Sequence, residues 1–213
     1  MLFFKKYALN QQVDCSNFVV VSAISYICGK SFFLSFIKKI QKQLSDFRVS
    51  KSPKAERNVV AINIKNAKSI GIVYFASDDE TNDLVRRYVK YLKDYKVKIL
   101  TIGYYHEKEL PYDVNPKLEF DYITNKDLNL RLEPKNPQAQ NFIKESFDIL
   151  IDVSTTENQV IRYLVHHSVA KFKVGAASVP YAHHLDLSIV LKPEEGVRQL
   201  MKNIDKYLHE LNK

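Results

Sequence analysis

Cysteine is nearly absent from this chain: its 213 residues include two, Cys15 and Cys28. Two thiols build neither a disulfide framework nor, by themselves, a four-ligand zinc site, and they suit a reducing, cytoplasmic setting. Glycine is scarce at five and proline numbers seven, which excludes collagen-like, linker-like and glycine-rich low-complexity chains. No G-x-G-x-x-G or Walker A loop occurs, so the usual backbone cradle for a pyrophosphate is missing. No repeat recurs at solenoid periods. The apolar run at 18–28 has eleven residues, short of the roughly 20 that span a bilayer. Lys5 and Lys6 precede it as in an export signal, but Asp14 intervenes and no small-x-small cleavage pattern follows.

Acidic residues are also scarce in the first third. Residues 1–68 hold Asp14, Asp46 and Glu56 against twelve Lys/Arg, a net charge of +9, whereas the remainder carries 20 bases and 21 acids. This asymmetry divides the chain into a basic N-terminal arm, 1–66, and a near-neutral body, 67–213. Within the arm, Phe33, Phe36, Ile37, Ile40, Leu44 and Phe47 recur at helical spacing, and Lys38, Lys39 and Lys42 fall on the opposite side. The pattern predicts an amphipathic helix over 32–47 with a basic outer face. Such a helix either packs its stripe on its own domain or lies on an anionic surface. Residues 48–57 read as a basic loop carrying Arg48, Lys51, Lys54 and Arg57, with Pro53 disfavouring helix at Ser52. It contains no aromatic side chain for base stacking, so its contacts with an anion would rest on charge.

The body alternates between two periodicities. Apolar runs at 69–76, 96–105, 118–124, 147–153, 172–175 and 185–191 have strand length, and amphipathic segments at 79–95, 137–146, 157–167 and 194–211 have helical spacing. The order predicts an α/β fold: a Rossmann-like, doubly wound, mostly parallel sheet of about six strands, preceded by the basic helical arm. The stretch 176–184 is short for a parallel crossover, so the sixth strand is expected either to run antiparallel or to follow a compact loop.

Ligands of doubly wound sheets bind at the carboxyl ends of the strands, which directs attention to the loops 77–80, 104–106, 125–127 and 154–158. Ser77, Asp78, His106, Asp152, Ser154, Thr155 and Asn158 are the candidate ligand-binding residues there. Asp152 stands out, because a charge near the end of an apolar strand is costly unless paired or exposed. Ser77-x-x-Glu80 and Ser154-x-x-Glu157 match the capping box and are read as helix N-termini rather than catalytic pairs. The histidine pairs His166-His167 and His183-His184 show no metal-ligand spacing, since neighbours on a helix point about 100° apart. The second pair, in a loop after Pro180-Tyr181, could contact a ligand or titrate near neutral pH, but the favoured reading is a surface loop. No cofactor and no metal are expected.

The segments 67–73, 117–121, 147–154 (Phe-Asp-Ile-Leu-Ile-Asp-Val-Ser) and 170–175 (Ala-Lys-Phe-Lys-Val-Gly) together resemble a bacterial family of unknown function over residues 32–211. That resemblance implies no activity. Over 147–175 the chain is also similar, more weakly, to the N-terminal domain of heptosyltransferase-type glycosyltransferases, although the first strand–helix turn, Ser-Asp-Asp-Glu, departs from their pattern. The favoured expectation is a non-enzymatic module, cytoplasmic or peripheral to the membrane. Its residues Lys38, Lys39, Lys42, Arg48, Lys51, Lys54 and Arg57 would dock on an anionic partner: nucleic acid, an acidic protein or a membrane face. The alternative is a small-molecule or sugar-phosphate binder, a degenerate glycosyltransferase-like domain using the strand-end loops.

Overall fold

Strand β1 (Ser69–Phe75) is apolar along its length and buried at its five central positions, as a strand covered on both faces must be. It lies mid-sheet in a computed structural model that describes residues 56–76, 78–112, 114 and 116–211. The apolar run 18–28, the amphipathic segment 32–47, Ser77 and the arm residues Lys38, Lys39, Lys42, Arg48, Lys51 and Lys54 lie outside the described residues.

Around β1 assemble β2 (Lys98–Tyr104), β3 (Phe120–Ile123), β4 (Ile149–Asp152), β5 (Phe172–Ala176) and β6 (Leu187–Ile189), in the order β3-β2-β1-β4-β5-β6. Every neighbouring pair is parallel. The helices are α1 (Asp79–Leu92), α2 (Pro137–Lys144), α3 (Gln159–His167) and α4 (Val197–Glu210). α1 meets α4, with the Tyr91 hydroxyl donating to Asp205 at 3.4 Å and the Arg198 guanidinium donating to Glu80 at 3.3 Å, and α2 meets α3, so that helices cover both faces of the sheet. α3 shows how the pattern works: Val160, Ile161, Leu164 and Val165 are buried at helical spacing, each worth about 1.5–3 kcal/mol relative to exposure. Among the described residues, no helix is long and apolar enough to cross a membrane.

Two glycines let neighbours approach closely. A Cβ on Gly71 would lie 2.8 Å from the Phe147 ring, and one on Gly175 would lie 3.1 Å from both Cβ and O of Asp152. Neither has a positive φ, so lack of bulk and not backbone freedom is what these sites require.

Of the two alternatives for the sixth strand, the structure takes the compact loop: β6 is parallel to β5. The two strands have five and three residues, so the return path is about 17 Å, and the connection at 177–186 covers it through one 3-10 turn at Ala182–His184. Other expectations are corrected. β3 begins at Phe120, because Leu118 is 90% exposed in a tight turn closed by the Lys117–Phe120 bridge. The helix starts differ from the capping-box reading, of which the Ser77 half lies outside the described residues. The N-cap of α1 is Asp78, whose carboxylate accepts the Thr81 N–H at 2.7 Å. The N-cap of α3 is Asn158, whose Oδ1 accepts the N–H groups of Val160 and Ile161. Asp and Asn rank with Ser as caps, and they stand next to the first helical turn, whereas Ser154 is too far upstream.

Residues 57–66 pack on the body. The Val60 N–H donates to Lys171 O, Ile64 N–H donates to Leu208 O, and the Asn63 amide donates to the carbonyls of His209 and Leu211 at the end of α4.

Candidate functional site

The strand order reverses direction between β1 and β4, which makes their carboxyl ends the switch point of the sheet. There the fold gathers Asp78 from the β1–α1 turn with Asp152, Ser154, Thr155 and Asn158 from the β4–α3 turn. His106 follows β2, one strand further out; its Nδ1 lies 3.2 Å from Tyr104 Oη, and its carbonyl accepts from the Asn125 amide. Asp78 and Asn158 are occupied as helix caps, and Thr155 O accepts the Ser178 hydroxyl at 3.0 Å.

Asp152 is fully buried. Its Oδ1 accepts the Ser154 N–H at 2.9 Å. Burial pushes its carboxyl up to about 6, opposed by the Ser154 N–H and by the hydroxyls of Ser154 and Tyr181, which favour the ionised form. Tyr181 is equally buried, and burial together with the Asp152 charge pushes its phenol well up. Sequence reasoning missed Tyr181. It enters from the β5–β6 connection, and no local pattern ties it to β4. The rim of this edge carries Asp78, Asp79 and Glu80, a sign that repels phosphate.

A second arrangement lies at the opposite, amino-terminal edge of β5 and β6. Arg57, His166, Lys173, His183, His184, Leu185 and Asp186 line a cavity of about 110 Å³. Lys173 sits inside β5, 2% exposed, and its Nζ donates to Val165 O at 2.6 Å, in the last turn of α3. A cation suits that place, because helix carbonyls converge there with negative partial charge. Arg57 donates to both oxygens of Asp186, at 2.6 and 2.7 Å, and to the carbonyls of Ala170 and Lys171. The same carboxylate accepts the Lys173 backbone N–H at 2.8 Å. Around this frame the rings of His167, His166, His184 and His183 follow one another at centroid distances of 4.7, 4.5 and 4.0 Å.

The structure therefore brings one residue of each histidine pair, His166 and His184, into edge-on contact, with Nδ1 atoms 3.5 Å apart. The reading of the second pair as a surface loop holds for the exposed His183 but not for His184, which is buried. The sequence did carry one signal: a lysine interrupts the short apolar run Phe-Lys-Val-Gly. Among the described residues, no group of three or more His, Cys, Asp or Glu is placed to hold a metal ion. With neutral imidazoles the cavity lining carries two cations and one anion, and every further protonation adds positive charge.

No curated protein and no solved structure matches this chain. One family model does match it, from residue 34 to residue 211, and so takes in the amphipathic segment and basic loop as well as the α/β body. By that match the chain belongs to DUF6913, a family of unknown function.

Proposed function

We propose that the protein is a binding module for an anionic partner. One observation carries this reading: the cavity at the amino-terminal edge of β5 and β6 sets Arg57, Lys173 and three histidines against the single carboxylate of Asp186. The charge distribution of the chain supports it. Lys38, Lys39, Lys42, Arg48, Lys51 and Lys54 precede Arg57 with the same sign, within a stretch of net charge +9. Charge of one sign concentrated in this way raises the local concentration of counter-ions and the rate of encounter. Arg57 contributes by lining the cavity, held in place by Asp186, while the lysines upstream steer.

The test uses the full chain and a fluorescein-labelled heparin fragment, followed by anisotropy. Binding is expected at about 50 mM salt and should weaken at least about tenfold by 200 mM, as for a contact driven by counter-ion release. Binding indifferent to salt, or no binding of heparin or of any smaller anion, overturns the reading.

A further inference from the structure

The cavity at the β5–β6 edge is small. Pockets for drug-sized ligands run to roughly 300–1,000 Å³, and this one has about 110 Å³. At about 30 Å³ per water, that is room for a few waters, or for one compact ion, but not for a nucleotide or a sugar ring as well. Its donors come from four separate parts of the fold: Arg57 from the segment before β1, His166 from α3, Lys173 from β5, and His183 and His184 from the turn before β6. Convergence of that kind fixes donor directions in space, which a flexible basic tail does not do. The lining is also mostly polar, with Leu185 as its one apolar member.

We infer that this cavity is a site for a tetrahedral oxyanion, inorganic phosphate or the terminal phosphate of a small phosphomonoester. Arg57 and Lys173 supply fixed positive charge, and the imidazoles of His166, His183 and His184 supply N–H donors that take up the remaining oxygens. Asp186 does not close the site to anions, because its carboxylate is bound to the Arg57 guanidinium through two bonds and to the Lys173 N–H through a third. It orients Arg57 and leaves the lining with an excess of positive charge. A phosphomonoester would keep its ester group outside, on the side of the exposed His183. The inference rests on the anion-binding reading and narrows it: the occupant is a compact ion, not a polyanion backbone.

The test is thermal unfolding of the full chain with inorganic phosphate, with sulfate, with glycerol phosphate as the monoester, and with sodium chloride at matched ionic strength. Phosphate about a hundredfold above its Kd should raise Tm by roughly 5 °C or more, and chloride should not. The rise should fall at least about tenfold in phosphate sensitivity in Lys173→Met and in His184→Gln, and persist in Lys202→Gln on the outer part of α4. Where either core variant fails to fold, His183→Gln at the cavity mouth replaces it, with the same expectation. Glycerol phosphate equal to or better than phosphate marks a phosphomonoester as the source, and the reverse marks the free ion. Both results support the site. Phosphate and sulfate no better than chloride, or a shift that survives all cavity variants, overturns it. If heparin binds while phosphate does nothing, the oxyanion inference fails and the anion-binding reading stands; if nothing anionic binds, both fail.

Discussion

Two aspartates bracket β4 and respond to their surroundings in opposite directions. Asp148, just before the strand, is pushed up by burial. It is pulled down further by the Lys171 ammonium at 2.8 Å and the Lys68 N–H at 2.7 Å, ending below its ordinary value. Its stabilising contribution is present above the unfolded pKa and is lost as pH falls through the folded one. Asp152, at the far end, meets no cation among the partners that set its pKa, and burial raises it to about 6. Between about pH 4 and 6 the folded chain holds a proton that the unfolded chain releases, so this residue's contribution is full below that window and lost as pH rises through it. Asp152→Asn removes the effect. The stability of the variant relative to the native protein should therefore rise by about 2–3 kcal/mol between pH 4 and pH 7, read from urea unfolding at both values. An unchanged difference would mean that Asp152 titrates normally in the folded chain.

At the scale of elements, the helix termini separate competing local signals. Both Ser154-x-x-Glu157 and Asn158 offer to start α3, and the chain uses Asn158, whose side chain meets two N–H groups of the first turn. Asn158→Ala should cost about 1 kcal/mol in chemical denaturation, whereas Glu157→Ala should stay within about 0.5 kcal/mol, the range of surface changes away from a cap. The reverse ranking would restore the capping box. The other end of α3 carries the functional interest. Its last carbonyls attract Lys173, and its last residues, His166 and His167, face different partners: His184 in the first case and Tyr163 in the second. Divergence of adjacent helical positions, read in the sequence as a reason against a shared metal, is here what lets one histidine enter the cavity.

At the scale of the whole molecule, the segment 57–66 ties two distant elements together. Asn63 satisfies carbonyls at the end of α4, and Arg57 bonds to Asp186, 129 positions away. Asn63→Ala leaves the carbonyls of His209 and Leu211 and the Lys65 N–H without this partner, and should cost about 1–3 kcal/mol. Hydrogen exchange should report the same loss as faster exchange of the Ile64 N–H, which donates to Leu208 O. Exchange and stability both unchanged would show that the segment is held by its apolar contacts alone.

What the sequence determined by itself was the alternation of buried runs and amphipathic helices, and hence an α/β sheet that is mostly parallel. Periodicity is a local property, and each element must present its apolar face to a neighbour wherever that neighbour lies. Asp152 was legible for the same reason, as a charge inside an apolar strand. The direction of β6, the place of Tyr181 beside Asp152, and the meeting of Arg57, Lys173, His166 and His184 were decided by tertiary structure. Those residues belong to segments far apart in the chain, and only the packing of β5, α3 and the turn before β6 sets the distances over which their charges act.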